Sequence, residues 1–101
     1  MGIKLENGYE TKTTFLQDFA IAEHFGLDAV EDTFNRSFRD WKGNLEYITE
    51  LAMVMSWRSC YYYEKNELMM NLYSDLYHKV DNWCMNNLKG PDLIYYIKTT
   101  D

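Results

Sequence analysis

Proline occurs once in this chain, cysteine and histidine twice each, and glycine five times. The glycines at positions 2, 8, 26, 43 and 90 all fall at ends or turns, so no glycine-rich loop is available to cradle a phosphate. Two cysteines cannot build the disulfide framework of a small secreted domain. Cys60 and Cys84 lie in stripes of core-like residues on successive helices; folding these back at Asn66 pairs residues whose numbers sum to roughly 132, so Cys60 falls near Leu72 and the two sulfurs roughly 18 Å apart, beyond disulfide reach. His24 and His78 have no partner at metal-ligand spacing. The longest strongly apolar run is Leu51–Met55, against about 20 residues for a membrane span, and no basic-then-apolar leader opens the chain. A cytoplasmic protein with reduced thiols, no cofactor and no membrane contact is expected.

Basic charge is also scarce. Ten Lys and Arg against sixteen Asp and Glu give a formal charge of -6, and each half of the chain, 1–43 and 44–101, carries 5 basic and 8 acidic residues. No basic half exists to follow a phosphate backbone.

What is abundant is apolar and aromatic surface, at 47% and 17% of residues, enough for one modest core in a chain of 101 residues. A single domain spanning 1–101 is expected. Ile3-Lys4-Leu5 and Tyr9-Glu10-Thr11 flank Asn7-Gly8, a pair suited to a type I′ turn, which predicts an N-terminal β-hairpin. Thr14 and Gln17 read as a capping box ahead of Phe15, Leu16, Phe19, Ala22 and Phe25 at helical spacing, with Gly26 as the stop. Asp28 and Glu31 repeat the signal for a second helix with Val30, Phe34, Phe38 and Trp41 inward, and with Asp32–Arg36 and Arg36–Asp40 as surface ion pairs. Asn44 caps a third helix over 45–65, and Asn66 interrupts before a fourth over 67–88. Leu51 to Tyr63 is apolar or aromatic on nearly every face, so the third helix should be central. After Gly90-Pro91, residues 92–98 fit either a short helix or a strand beside the hairpin. The expected fold is therefore mainly α, a small bundle centred on a long antiparallel helical hairpin, or α+β if the tail is a strand.

Candidate sites are few. Ala22, Gly26 and Leu27 invite a helix-turn-helix reading, but Asp32 occupies a position that needs a buried aliphatic residue. Arg36, Arg39 and Lys42 remain as a short basic strip. Glu23 and His24 are neighbours facing different ways, while Glu46 and Glu50, one helical turn apart, could present two carboxylates to a cation but lack a Glu-x-x-His partner. No catalytic group and no small-molecule substrate is suggested. Trp57, Arg58, Tyr61, Tyr62, Tyr63, Tyr73 and Tyr77 supply more aromatic surface than a helical layer obviously needs, and tyrosine is enriched at protein interfaces. Tyr61 or Tyr62 with Tyr73 is expected to form an outward patch suited to a homodimer.

The segment 7–15 (NGYETKTTF), Asp18-Phe19 with Ile21-Ala22, Phe25-Gly26, Thr49-Glu50-Leu51 and Asn87-Leu88-Lys89-Gly90 together resemble a family of small uncharacterised proteins from mobile elements and genomes of gut Firmicutes. The resemblance spans essentially the whole chain and implies a bacterial accessory protein, with no catalytic residues to carry over. The preferred reading is a non-enzymatic protein-interaction module, bound to itself or another protein. The alternative is an accessory nucleic-acid binder using Arg36, Arg39 and Lys42.

Overall fold

The computed structural model describes Lys4 and residues 8–100. Within them five helices follow one another: α1 Phe15–Phe25, α2 Leu27–Arg39, α3 Leu45–Tyr62, α4 Glu67–Asn87 and α5 Pro91–Thr100. The arrangement is an all-α five-helix bundle with no β-strand among the described residues.

One expectation is corrected, and one left open is decided. Among the described residues no strand forms the N-terminal β-hairpin expected at Asn7-Gly8: Ile3, Leu5 and Asn7 lie outside them, and an isolated antiparallel bridge joins Lys4 to Glu10. A lone two-stranded hairpin is marginal in water, and the backbone N–H groups of Lys12 and Thr13 donate to the Glu50 carboxylate, at 2.7 and 2.9 Å. The C-terminal tail is a helix rather than a strand. Pro91 takes its first position, where a missing N–H costs nothing, and Leu93 and Tyr96, three apart, turn inward against the core.

α3 touches each of the other four helices. Its sequence explains why, since Ile48 through Met55 are eight consecutive buried residues and no side of the helix between them faces solvent. Its most extensive contact is with α4, joined by a four-residue turn that makes the pair antiparallel. Asn44 caps α3 as expected, and Asn66, expected only as an interruption, caps α4 in the same way, each Oδ1 accepting a backbone N–H three residues on at 3.1 Å. Across the hairpin Ser59 donates to the Met70 carbonyl, and the Tyr62 ring stacks on Tyr73.

α3 stops at Tyr62, short of the expected Lys65, because Glu64 takes a left-handed φ of 65°. α1 and α2 are separated by Gly26 alone, whose φ of 109° falls where side chains rarely follow. The capping box at Thr14 is not formed. Thr14 Oγ1 donates to Asp18, and Thr13 Oγ1 accepts the Phe15 N–H. Aromatic edges hold the outer helices in place: Phe19 of α1 against Tyr73, Phe38 of α2 and Trp41 just after it against Trp83, and Phe15 against Tyr47.

Inside this core two polar groups stand out. The Glu50 side chain is fully buried, whereas Thr49, 1% exposed, has a hydroxyl with no hydrogen-bond partner. Thr49→Val keeps the shape and removes the unpaired hydroxyl, so the urea midpoint is expected to hold or rise, by up to about 1 kcal/mol. Glu50→Gln puts an amide donor against groups that are themselves donors. A loss of about 2–3 kcal/mol by the same measurement is expected, and an unchanged midpoint would show that the Glu50 contacts contribute nothing.

Candidate interaction surface

Two carboxylates organise the polar chemistry of the chain, and both are turned inward. Glu50, in the N-terminal half of α3, is reached by four neutral donors: the Tyr9 hydroxyl at 2.9 Å, the N–H groups of Lys12 and Thr13, and the Thr13 hydroxyl. This draws residues 9–13 over the helix and sets the Tyr9 ring 6.0 Å from Trp57. The cation site envisaged for Glu46 and Glu50 is not formed, because Glu50 is fully buried under these donors while Glu46 stays exposed.

Glu23 of α1 is the second. Arg58 grips it as a fork, Nε to Oε2 at 2.9 Å and Nη2 to Oε1 at 2.6 Å, while the Tyr62 and Tyr73 hydroxyls donate to it at 2.7 and 2.5 Å. The carboxylate and guanidinium side chains are only 10% and 19% exposed. One carboxylate thus ties α1 to α3 and α4. Removing it as Glu23→Ala would leave a largely buried cation and two phenols unpaired, at a cost of about 3 kcal/mol.

These contacts redistribute the expected aromatic surface. Tyr73 is fully buried, and Tyr62 and Arg58 are half-buried around Glu23, so the outward patch of Tyr62 with Tyr73 does not exist. The reason is that the two stacked phenols find their acceptor inside. Trp57 and Tyr77 pack partly buried against the core. Tyr61 and Tyr63 remain outside at 51% and 63% exposure, as does Leu68 of α4 at 68%; the Tyr61 ring lies 4.5 Å from the Arg58 guanidinium and 4.6 Å from the Lys65 ammonium.

α1 offers a surface that sequence periodicity hid. Ile21 and Phe25, one turn apart, are 59% and 79% exposed, although Phe25 continues the spacing of the buried Phe15, Phe19 and Ala22. Phe25 ends its helix at the Gly26 junction, past the reach of the core. With Ala29, Thr33 and Ser37 of α2, these two side chains line an open groove of about 760 Å³ that runs from the junction to Lys12, Phe15, Asp40 and Tyr47. The signal available in the sequence was the fifth apolar position of a stripe that needs only three or four.

Arg36, Arg39 and Lys42 are all exposed, toward the C-terminal end of α2. The expected ion pairs Asp32–Arg36 and Arg36–Asp40 are not closed; Arg36 donates to Thr33 at 3.3 Å and Arg39 approaches Asp40 at 3.7 Å. Asp32 is exposed where a helix-turn-helix would bury an aliphatic residue. Among the described residues no three His, Cys, Asp or Glu side chains gather to hold a metal, no helix is long and apolar enough to cross a membrane, and both thiols are free, Cys60 exposed and Cys84 buried. No family model, no curated protein and no solved structure matches the chain.

Titration follows from the same geometry. Burial alone would raise the Glu23 carboxyl, but the Arg58 fork and the two phenols outweigh it and hold it below the ordinary carboxylate value. A lowered folded-state pKa contributes stability that is present above the unfolded value, about 4.3, and is lost as pH falls through the folded one. Wild type is therefore expected to lose more stability than Glu23→Gln as pH drops from 5 to about 3; identical slopes would remove Glu23 from the acid transition. Burial first, and bonds or proximity to carboxylates second, raise the phenols of Tyr9, Tyr62, Tyr73 and Tyr96, and Tyr96 donates to Asp81 at 2.6 Å. Their contribution is complete below about pH 10 and lost above it, so alkaline unfolding and late phenolate absorbance should rise together.

Proposed function

We propose that this chain is a non-enzymatic protein-interaction module, an accessory protein of a bacterial mobile element working in the cytoplasm. One contrast carries the reading. The groups that could do chemistry, Glu23, Arg58, Tyr62, Tyr73 and Glu50, are turned inward and hydrogen-bonded, whereas Ile21, Phe25, Tyr61, Tyr63 and Leu68 stand more than half exposed. Large apolar side chains grouped on a surface mark places where another macromolecule takes them out of water. The bacterial mobile-element context rests on the sequence resemblance alone.

A second reading, an accessory nucleic-acid binder, is favoured by one observation: Arg36, Arg39 and Lys42 are exposed together at one end of α2. Asp28, Glu31 and Asp32 on the same helix, also exposed, oppose it.

The two readings separate in one pair of measurements on the whole protein. Protein partners retained from the native cell are expected with wild type and with the triple variant Arg36→Glu, Arg39→Glu, Lys42→Glu, and to be lost with Phe25→Ser or Tyr63→Ser at unchanged helical content. DNA or RNA binding that falls steeply with salt and vanishes in the triple variant would favour the second reading.

A further inference from the structure

We infer that the α1–α2 face is self-complementary and takes a second copy of this chain, with α2 lying antiparallel to the partner's α2 about a twofold axis. The inference rests on the interaction-module reading and names its partner.

The argument begins with the order of charge on α2. Asp28, Asp32, Arg36 and Arg39 are all exposed, and their spacings of four, four and three residues put them on one stripe of the helix. Among the described residues Asp28 and Asp32 have no cationic partner, Arg36 donates to the Thr33 hydroxyl, and Arg39 has Asp40 at 3.7 Å. Acid before base along the axis suits the helix's own dipole. That preference does not require the four to share a stripe, nor to leave their charges unpaired within it.

An antiparallel copy completes them. Asp28 with Arg39 and Asp32 with Arg36 have nearly the same midpoint, the first between residues 33 and 34 and the second at Phe34. A single register therefore sets Asp28 opposite the partner's Arg39 and Asp32 opposite the partner's Arg36 at the same time. The twofold axis repeats both contacts, as an isologous interface must. A parallel copy would set like charge on like.

The same register places the apolar groups. Phe25 sits at the Gly26 junction, one end of the groove, and reversal of direction carries it to the other end of the partner's groove. That end is lined by Phe15 and Tyr47, whose rings meet edge to face at 4.8 Å, with Lys12 on the rim. An exposed phenylalanine meets an aromatic floor in each half, and Ile21 follows it one turn back. Overall repulsion between two chains of charge -6 opposes the pairing at low salt and is screened at physiological ionic strength.

Sedimentation velocity of the full chain over a concentration series at physiological salt tests the inference. Wild type is expected to dimerise. The pair Asp28→Arg, Asp32→Arg makes the stripe all basic, the pair Arg36→Asp, Arg39→Asp makes it all acidic, and each variant alone is expected to be monomeric. Mixed in equal amounts they are expected to form a heterodimer. Should a double variant fail to fold, Phe25→Ser, which changes an exposed residue, is expected to raise the dimer dissociation constant by about tenfold or more. A wild type that stays monomeric at high micromolar concentration overturns the inference, as does a dimer indifferent to all three variants. A monomeric chain that still retains a different protein through Phe25 overturns the second copy while keeping the interaction module; loss of both removes the module as well.

Discussion

Glu50 stands in the N-terminal half of the central helix with no part of its side chain in contact with water. A carboxylate there has to be matched by donors, or its desolvation would outweigh much of the stability that a domain of this size possesses. α3 cannot supply them, because its own N–H groups are spent on the helix. They come from outside it, from the Tyr9 hydroxyl and from the backbone and hydroxyl of residues 12 and 13. The path of the chain into α1 is therefore fixed by α3 before α1 begins. Thr13, bonded to Glu50, also accepts the first N–H of α1, so the start of that helix and its placement are settled by one residue.

Glu23 extends the constraint in the opposite direction. Once α1 starts at Phe15, Glu23 two turns later lies where Arg58, Tyr62 and Tyr73 converge. α1 meets α3 over a small area, and Phe19 against Tyr73 is a single aromatic contact. Directional bonds at each end of α1 add to the burial of Phe15, Phe19 and Ala22 in holding it in register on the bundle. The outer flank of α1 is left free of structural duty, which is why Ile21 and Phe25 can stay exposed without loosening the helix.

Much of this fold is legible in the residues. The all-round apolar composition of Leu51–Met55 requires a helix enclosed by others, Asn44 announces its cap, and the interruption at Asn66 turns the chain back so that Tyr62 lies near Tyr73. The errors share a physical origin. Local pattern favours a hairpin at Asn7-Gly8 because it counts turn chemistry and β-propensity, and it is blind to a carboxylate 37 residues away that claims the Thr13 backbone. The tyrosines read as surplus for the same reason. Periodicity treats Tyr62 and Tyr73 as bulky rings needing a surface, whereas each carries a hydroxyl, and Glu23 is the acceptor that lets both turn inward. Phe25 fails in the reverse sense, since spacing places it with Phe15 and Phe19 while its position at the helix end takes it beyond the core.

The chain therefore inverts the usual allocation at several points, bonding carboxylates and phenols inside while leaving isoleucine, phenylalanine and leucine outside. Stability alone does not ask for this. A bundle of this size would keep its fold with a polar residue at position 25 or 68, because neither side chain touches the cluster around Val54 and Met55. Exposed apolar residues without a structural role are a liability in solution unless something covers them. The groove between α1 and α2 is open along its length, its walls carry charge of both signs, and its most protruding side chain stands at one end while an aromatic floor lies at the other. A surface with that asymmetry along its axis is matched by one with the reverse order. The nearest object with the reverse order is the same surface turned end for end.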